Sequence, residues 1–176
     1  MKNRLPQSFT TIVLISMIAV LCLSKTVRAG AIISWGYGAY GQISDTPTES
    51  GFTAIAGGGH HSLAMTSDGT IVSWGYDNYG QVSQTPTGSG FTAIAGGDYH
   101  SLALKSDGSI VSWGRDDHNE VSDTPTESGF VAIDAGGYHN LALTADGSIV
   151  SWGYDNYGQV SSMPGESGFI AISCGA

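Results

Sequence analysis

Along most of this chain, apolar residues come in short runs that alternate with small or polar neighbours, and glycine pairs or Asp-Gly steps close each run. Phe52-Thr53-Ala54-Ile55-Ala56 is one such run, ended by Gly57-Gly58; His61-Ser62-Leu63-Ala64-Met65 follows, then Asp68-Gly69, then Ile71-Val72-Ser73-Trp74. Alternation over so short a span predicts β-strands. Asp-Gly between two of them predicts a hairpin turn with both central residues at positive φ. The polar, aromatic segment Tyr76-Asp77-Asn78-Tyr79-Gly80 predicts a loop, and Gln81-Val82-Ser83 a short fourth strand.

The pattern recurs without insertion. Tryptophan stands at Trp35, Trp74, Trp113 and Trp152, histidine at His61, His100 and His139, and Gly-Phe pairs begin at Gly51, Gly90, Gly129 and Gly168, each set spaced 39 residues apart. One unit cannot bury its own apolar surface, because Ile71 and Val72 point to opposite faces and so do Ser73 and Trp74. Neighbouring units must cover it. Small sheets stacked face to face around an axis are the β-propeller solution, and a unit of this length closed by tryptophan has the content of a blade. The expected fold class is all-β: a β-propeller-like array of about four four-stranded blades over residues 30–176, and a partial one. The array opens in a third strand, Gly30 to Trp35, and closes in a first strand, Ile170 to Ala176, with one copy of the second strand missing. An open arc, a gene fragment, or half of a ring closed by a homodimer would each account for that count.

Residues 1–29 do not share the pattern. Lys2 and Arg4 precede an apolar stretch from Thr11 to Leu23, and Val27-Arg28-Ala29 follows, which is the layout of a secretory signal peptide cleaved after Ala29. The stretch is shorter than the ~20 residues of a membrane-spanning helix. A secreted or periplasmic location is expected, with no membrane attachment after cleavage. Removal of the leader leaves Lys105 and Arg115 as the only basic residues against all fifteen Asp and Glu. Such a field repels phosphate backbones, so nucleic acid is excluded as a partner. Cys22 leaves with the leader, and Cys174, without an internal partner, is expected either to be buried and inert or to cross-link two chains.

The stretch from Gly58 to Gly75, with the following Asn78-Tyr79-Gly80-Gln81, recurs from Gly97 to Gly114 and from Gly137 to Gly153. It resembles the regulator of chromosome condensation repeat in its compact bacterial form. Every tryptophan here precedes glycine, which separates the chain from the WD repeat. The resemblance implies blades of a propeller that closes with seven, so the chain would supply a fragment of such a ring. It does not carry nuclear exchange-factor activity to an acidic, exported chain.

No catalytic set stands out. The repeated histidines have no carboxylate or thiol at ligand spacing, and a once-per-unit hydrogen bond from the imidazole to a neighbouring carbonyl accounts for their period. The repeated serines occupy no nucleophile elbow, and the glycines lack the Gly-Lys-Ser/Thr of a phosphate loop. No enzyme, no metal and no cofactor is expected. What remains is the loop after each tryptophan: Tyr37-Gly38-Ala39-Tyr40, Tyr76-Asp77-Asn78-Tyr79, Arg115-Asp116-Asp117-His118 and Tyr154-Asp155-Asn156-Tyr157. Equivalent loops of stacked units share one rim, and tyrosine and arginine dominate protein interfaces. The second tyrosine of each loop is expected to tuck under its own turn and the first to face outward. Tyr37, Tyr76, Arg115, Asp116, His118 and Tyr154 are therefore the candidate binding residues, with a protein as partner and a glycan as the alternative.

Overall fold

The computed structural model describes residues 29–175, so the leader read over residues 1–29 lies almost entirely outside the described residues. Nine strands form three antiparallel sheets of three. The first holds β1 (Phe52–Gly57), β2 (His61–Thr66) and β3 (Ile71–Gly75); the second β4 (Phe91–Gly96), β5 (His100–Lys105) and β6 (Ile110–Gly114); the third β7 (Phe130–Ala135), β8 (His139–Thr144) and β9 (Ile149–Gly153). In each, the His-containing strand is central and pairs with both others. First strands of successive sheets face one another, β1 against β4 and β4 against β7, as blades do around an axis. The fold is a partial β-propeller.

Three expectations change in detail. Gln81 to Gln84 and its repeats form turns, so each described blade has three strands. Asp77 Oδ1 causes this: it accepts the Val82 and Ser83 N–H groups at 2.8 Å each, and so withdraws from a strand ladder the donors it would need. The Asp-Gly turns hold only glycine at positive φ, Gly69 at 79° and Gly108 at 79°. Thr66 N bonds Thr70 O at 3.0 Å, enclosing three residues with the glycine last, which is the hairpin that ends in a left-handed glycine. Finally, residues 31–36 and 169–175 form no strand. Both carry strand-like sequence, but the central strand that pairs such segments in every complete blade stands beside neither among the described residues.

The apolar core lies between sheets. Leu63, Met65 and Ile71 of the first pack with Phe91, Ala103 and Trp113 of the second. Leu102, Leu104 and Ile110 of the second pack with Phe130, Ala142 and Trp152 of the third. Trp74, Trp113 and Trp152 are buried, as inter-unit packing requires. Each indole N–H reaches back to the preceding unit: Trp74 donates to Gln42 O at 3.1 Å, Trp113 to Gln81 O and Trp152 to Glu120 O at 2.9 Å.

Candidate functional site

Two sets of loops meet at one end of the arc. β3, β6 and β9 finish there, and the next residue in each case bonds to the loop before the central strand: Tyr76 N to His60 O (3.0 Å), Arg115 N to Tyr99 O (2.9 Å) and Tyr154 N to Tyr138 O (2.8 Å). A side-chain amide or carboxyl holds each loop, buried in the second and third units and half-buried in the first and fourth. Gln81 Oε1 accepts the Tyr79 N–H at 2.9 Å, and Glu120 Oε2 accepts that of His118 at 2.7 Å. The backbone N–H is thereby turned inward and the ring at the same residue outward.

The rings form two clusters that Arg115 joins into one band. Tyr37 meets Tyr40 edge-on, and Tyr40 meets Tyr76 with centroids 4.9 Å apart. Tyr76 leads to Tyr99, whose face stacks on His60 at 4.8 Å with the planes 15° apart. Tyr79 packs on Tyr99 at 5.4 Å. Arg115 bridges from there to the third blade, its guanidinium 5.3 Å from the centre of Tyr79, 5.6 Å from Tyr99 and 5.1 Å from Tyr138. Asp117 accepts its Nε–H at 2.7 Å. Beyond it, His118 lies 4.6 Å from Tyr154, which continues to Tyr157. A cleft of about 510 Å³ opens between Arg115, His118, Tyr138, Tyr154 and Tyr157.

The repeated histidines sit beneath this face, between blades. His61 Nε2 lies 2.7 Å from Ser101 Oγ and His100 Nε2 lies 2.7 Å from Asn140 Oδ1, so the partner is a side chain of the next blade and not a backbone carbonyl. Asn140 passes the link on by donating to Glu120 O at 3.0 Å. Burial pushes the His61 pKa down to about 4 and lowers that of His100 as well. These are neutral structural imidazoles. Among the described residues no three His, Cys, Asp or Glu side chains converge as a metal site would require.

Residues 52–81, 91–120 and 130–159 each match the regulator of chromosome condensation (RCC1) repeat, and together they make up half of the chain. The chain belongs to the RCC1 repeat family. Among solved structures it is similar to yeast RCC1 (Prp20) bound to Kap60, at 25% identity and a TM-score of 0.59, over 72% of this chain and 40% of that one. It is also similar to the ectodomain of the receptor kinase CR4 of Physcomitrella patens, at 25% identity and 0.63, over 80% of this chain and 37% of that one. Prp20p of Saccharomyces cerevisiae shares the fold at 23% identity and 0.63, over 80% and 49%. The chain thus spans less than half the length of each. No curated protein matches it.

Within this RCC1-repeat arc, Tyr37, Tyr76, Arg115, His118 and Tyr154 all join the aromatic band. Asp116 does not: its Oδ1 accepts the Val121 and Ser122 N–H groups at 2.8 Å and shapes the loop, as Asp77 and Asp155 do in theirs. In the first loop Tyr37, at 71% exposed, faces outward more than Tyr40 at 49%, as expected, but in the second and fourth loops the order is reversed. Tyr79 is 41% and Tyr157 84% exposed, while Tyr76 and Tyr154 are half-buried. In both, the second tyrosine's backbone N–H bonds a glutamine side chain, Gln81 or Gln159, which holds that residue with its ring turned away from the turn. His60, Tyr99 and Tyr138 also belong to the site, although they lie on a different loop. An aromatic ring immediately before each repeated histidine is the signal that marks them in the sequence.

Proposed function

We propose that this chain is an exported, non-enzymatic interaction module that binds a protein through the aromatic face. The two clusters of aromatic rings, joined through Arg115 across the described units, carry this reading. A row of rigid, amphipathic rings offers contact area at small entropic cost, and tyrosine and arginine dominate binding hot spots. Yeast RCC1 bound to Kap60 is a protein complex of a family member, and Prp20p has binding properties to Gsp1p and histones. Export follows from the leader read in residues 1–29, and amino-terminal sequencing of protein recovered outside the cytoplasm tests it.

The decisive experiment replaces Tyr37, Tyr79 and Tyr157 together by alanine. All three are exposed, so the melting temperature should hold while capture of a protein from the organism's own exported fraction is lost. Retained capture would refute the reading. Loss of binding on a glycan array, with protein capture unchanged, would transfer the face to carbohydrate.

A further inference from the structure

Arg115 stands where the other units have tyrosine, at Tyr37, Tyr76 and Tyr154. The setting is shared: Tyr76 lies among Tyr40, His60 and Tyr99 just as Arg115 lies among Tyr79, Tyr99 and Tyr138. A guanidinium is therefore held by the ring cluster itself, each tyrosine quadrupole facing the charge at 5.1 to 5.6 Å. The remaining charge on this end is negative. Asp117 already offsets Arg115, which leaves Asp77, Asp98, Asp116 and Asp155 without a basic neighbour on the same loops. Asp77, Asp116 and Asp155 each bond backbone N–H groups through Oδ1. Asp98, half-buried in the loop before β5, has its carboxylate beside Gly59 of the preceding blade and Gly137 of the following one. Lys105 ends β5 at the opposite end of the blade.

We propose that the partner meets this face through cationic side chains, arginine foremost, seated on exposed tyrosine rings beside Asp98 and the loop aspartates. The proposal rests on the aromatic face being the binding surface and adds the chemistry of its occupant. Arg115 is the internal example of the contact. An anionic partner would instead meet carboxylates, and a neutral one would gain nothing from them.

Titration of the full chain with an oligoarginine peptide and with an oligoglutamate of equal length tests the idea. Oligoarginine should bind and oligoglutamate should not, with the affinity falling about tenfold as salt rises from ~0.05 to ~0.3 M. Asp98→Asn and Tyr79→Ala should each weaken binding roughly threefold, the scale of one exposed cation–π or carboxylate contact. Asp107→Asn, at the opposite end of the same blade, should leave it unchanged. Equal loss in Asp107→Asn would reduce the effect to bulk acidity and overturn the proposal, as would absence of binding or equal affinity for oligoglutamate. If the triple tyrosine variant still loses its protein partner while oligoarginine fails to bind, the cationic occupant falls and the aromatic face stands. If neither responds to loss of the tyrosines, both fall.

Discussion

Arg115 shows how one substitution in a strict repeat can be absorbed. Its side chain is largely covered, pairs with one exposed carboxylate and lies over three rings from three different loops. With Asp117 exposed, the ion pair contributes little, and most of the stabilisation comes from the rings. Arg115→Ala should lower stability by about 1–2 kcal/mol in denaturant unfolding. Arg115→Tyr, which restores the residue of the other units, should come within about 0.5 kcal/mol of the parent. The histidines give a second residue-scale prediction. Folded His61 stays neutral down to about pH 4 because burial opposes its charge, whereas the unfolded chain takes up that proton near the ordinary value of 6.5. Stability should be full above about pH 7 and decline as pH falls through 6.5 toward 4, by up to about 3 kcal/mol from this group alone. His100→Gln, which keeps a donor for Asn140, should flatten part of that slope in urea melts taken across the range.

Hairpin turns and post-tryptophan loops owe their shape to different devices. The turns depend on glycine: at Gly108, φ is +79° and a Cβ would lie 2.5 Å from Gly129 N, backbone that cannot swing aside. Gly108→Ala should therefore destabilise by more than the ~1 kcal/mol of a left-handed residue alone, while Gly129→Ala, whose Cβ would meet open space, should show only the conformational term. Thermal melts of the pair separate strain from collision. The loops depend on side chains, an aspartate that caps two N–H groups and a glutamine or glutamate that holds a third. That is why Asp116, which reads in sequence as an exposed charge at a candidate site, is a structural member of its loop. Cys174 is likewise a matter of placement: burial, then the Asp134 carboxylate, push its thiol up to about 12. A thiol so raised is scarcely ionised at neutral pH and is a poor nucleophile.

At the scale of the whole molecule, stability is shared between neighbours and is greatest where a sheet has one on each side. The middle blade, β4 to β6, is that sheet. Its central strand is buried from His100 to Leu104, whereas β8 in the third blade alternates between buried and half-buried positions. Amide exchange should be slowest in β5 and faster by about tenfold or more in β8. Equal protection of the two would mean that another surface covers the third blade in solution, such as the second copy of the chain that a closed ring would need.

Much was legible in the sequence because a repeat reports the same physics several times over. Period-two alternation, Asp-Gly steps and a tryptophan at constant spacing fix the strands, their hairpins and the need for inter-sheet burial, since each depends on local backbone geometry or on apolar area that must be covered. The tertiary structure decided what depends on which groups lie within hydrogen-bond reach. It turned the expected fourth strand into a capped turn, gave the histidines side-chain partners in the next blade, and sent the second tyrosine of the second and fourth loops outward. It also joined His60, Tyr99 and Tyr138 to the loop tyrosines, because rings on loops well separated in sequence meet only when the sheets that carry them stack.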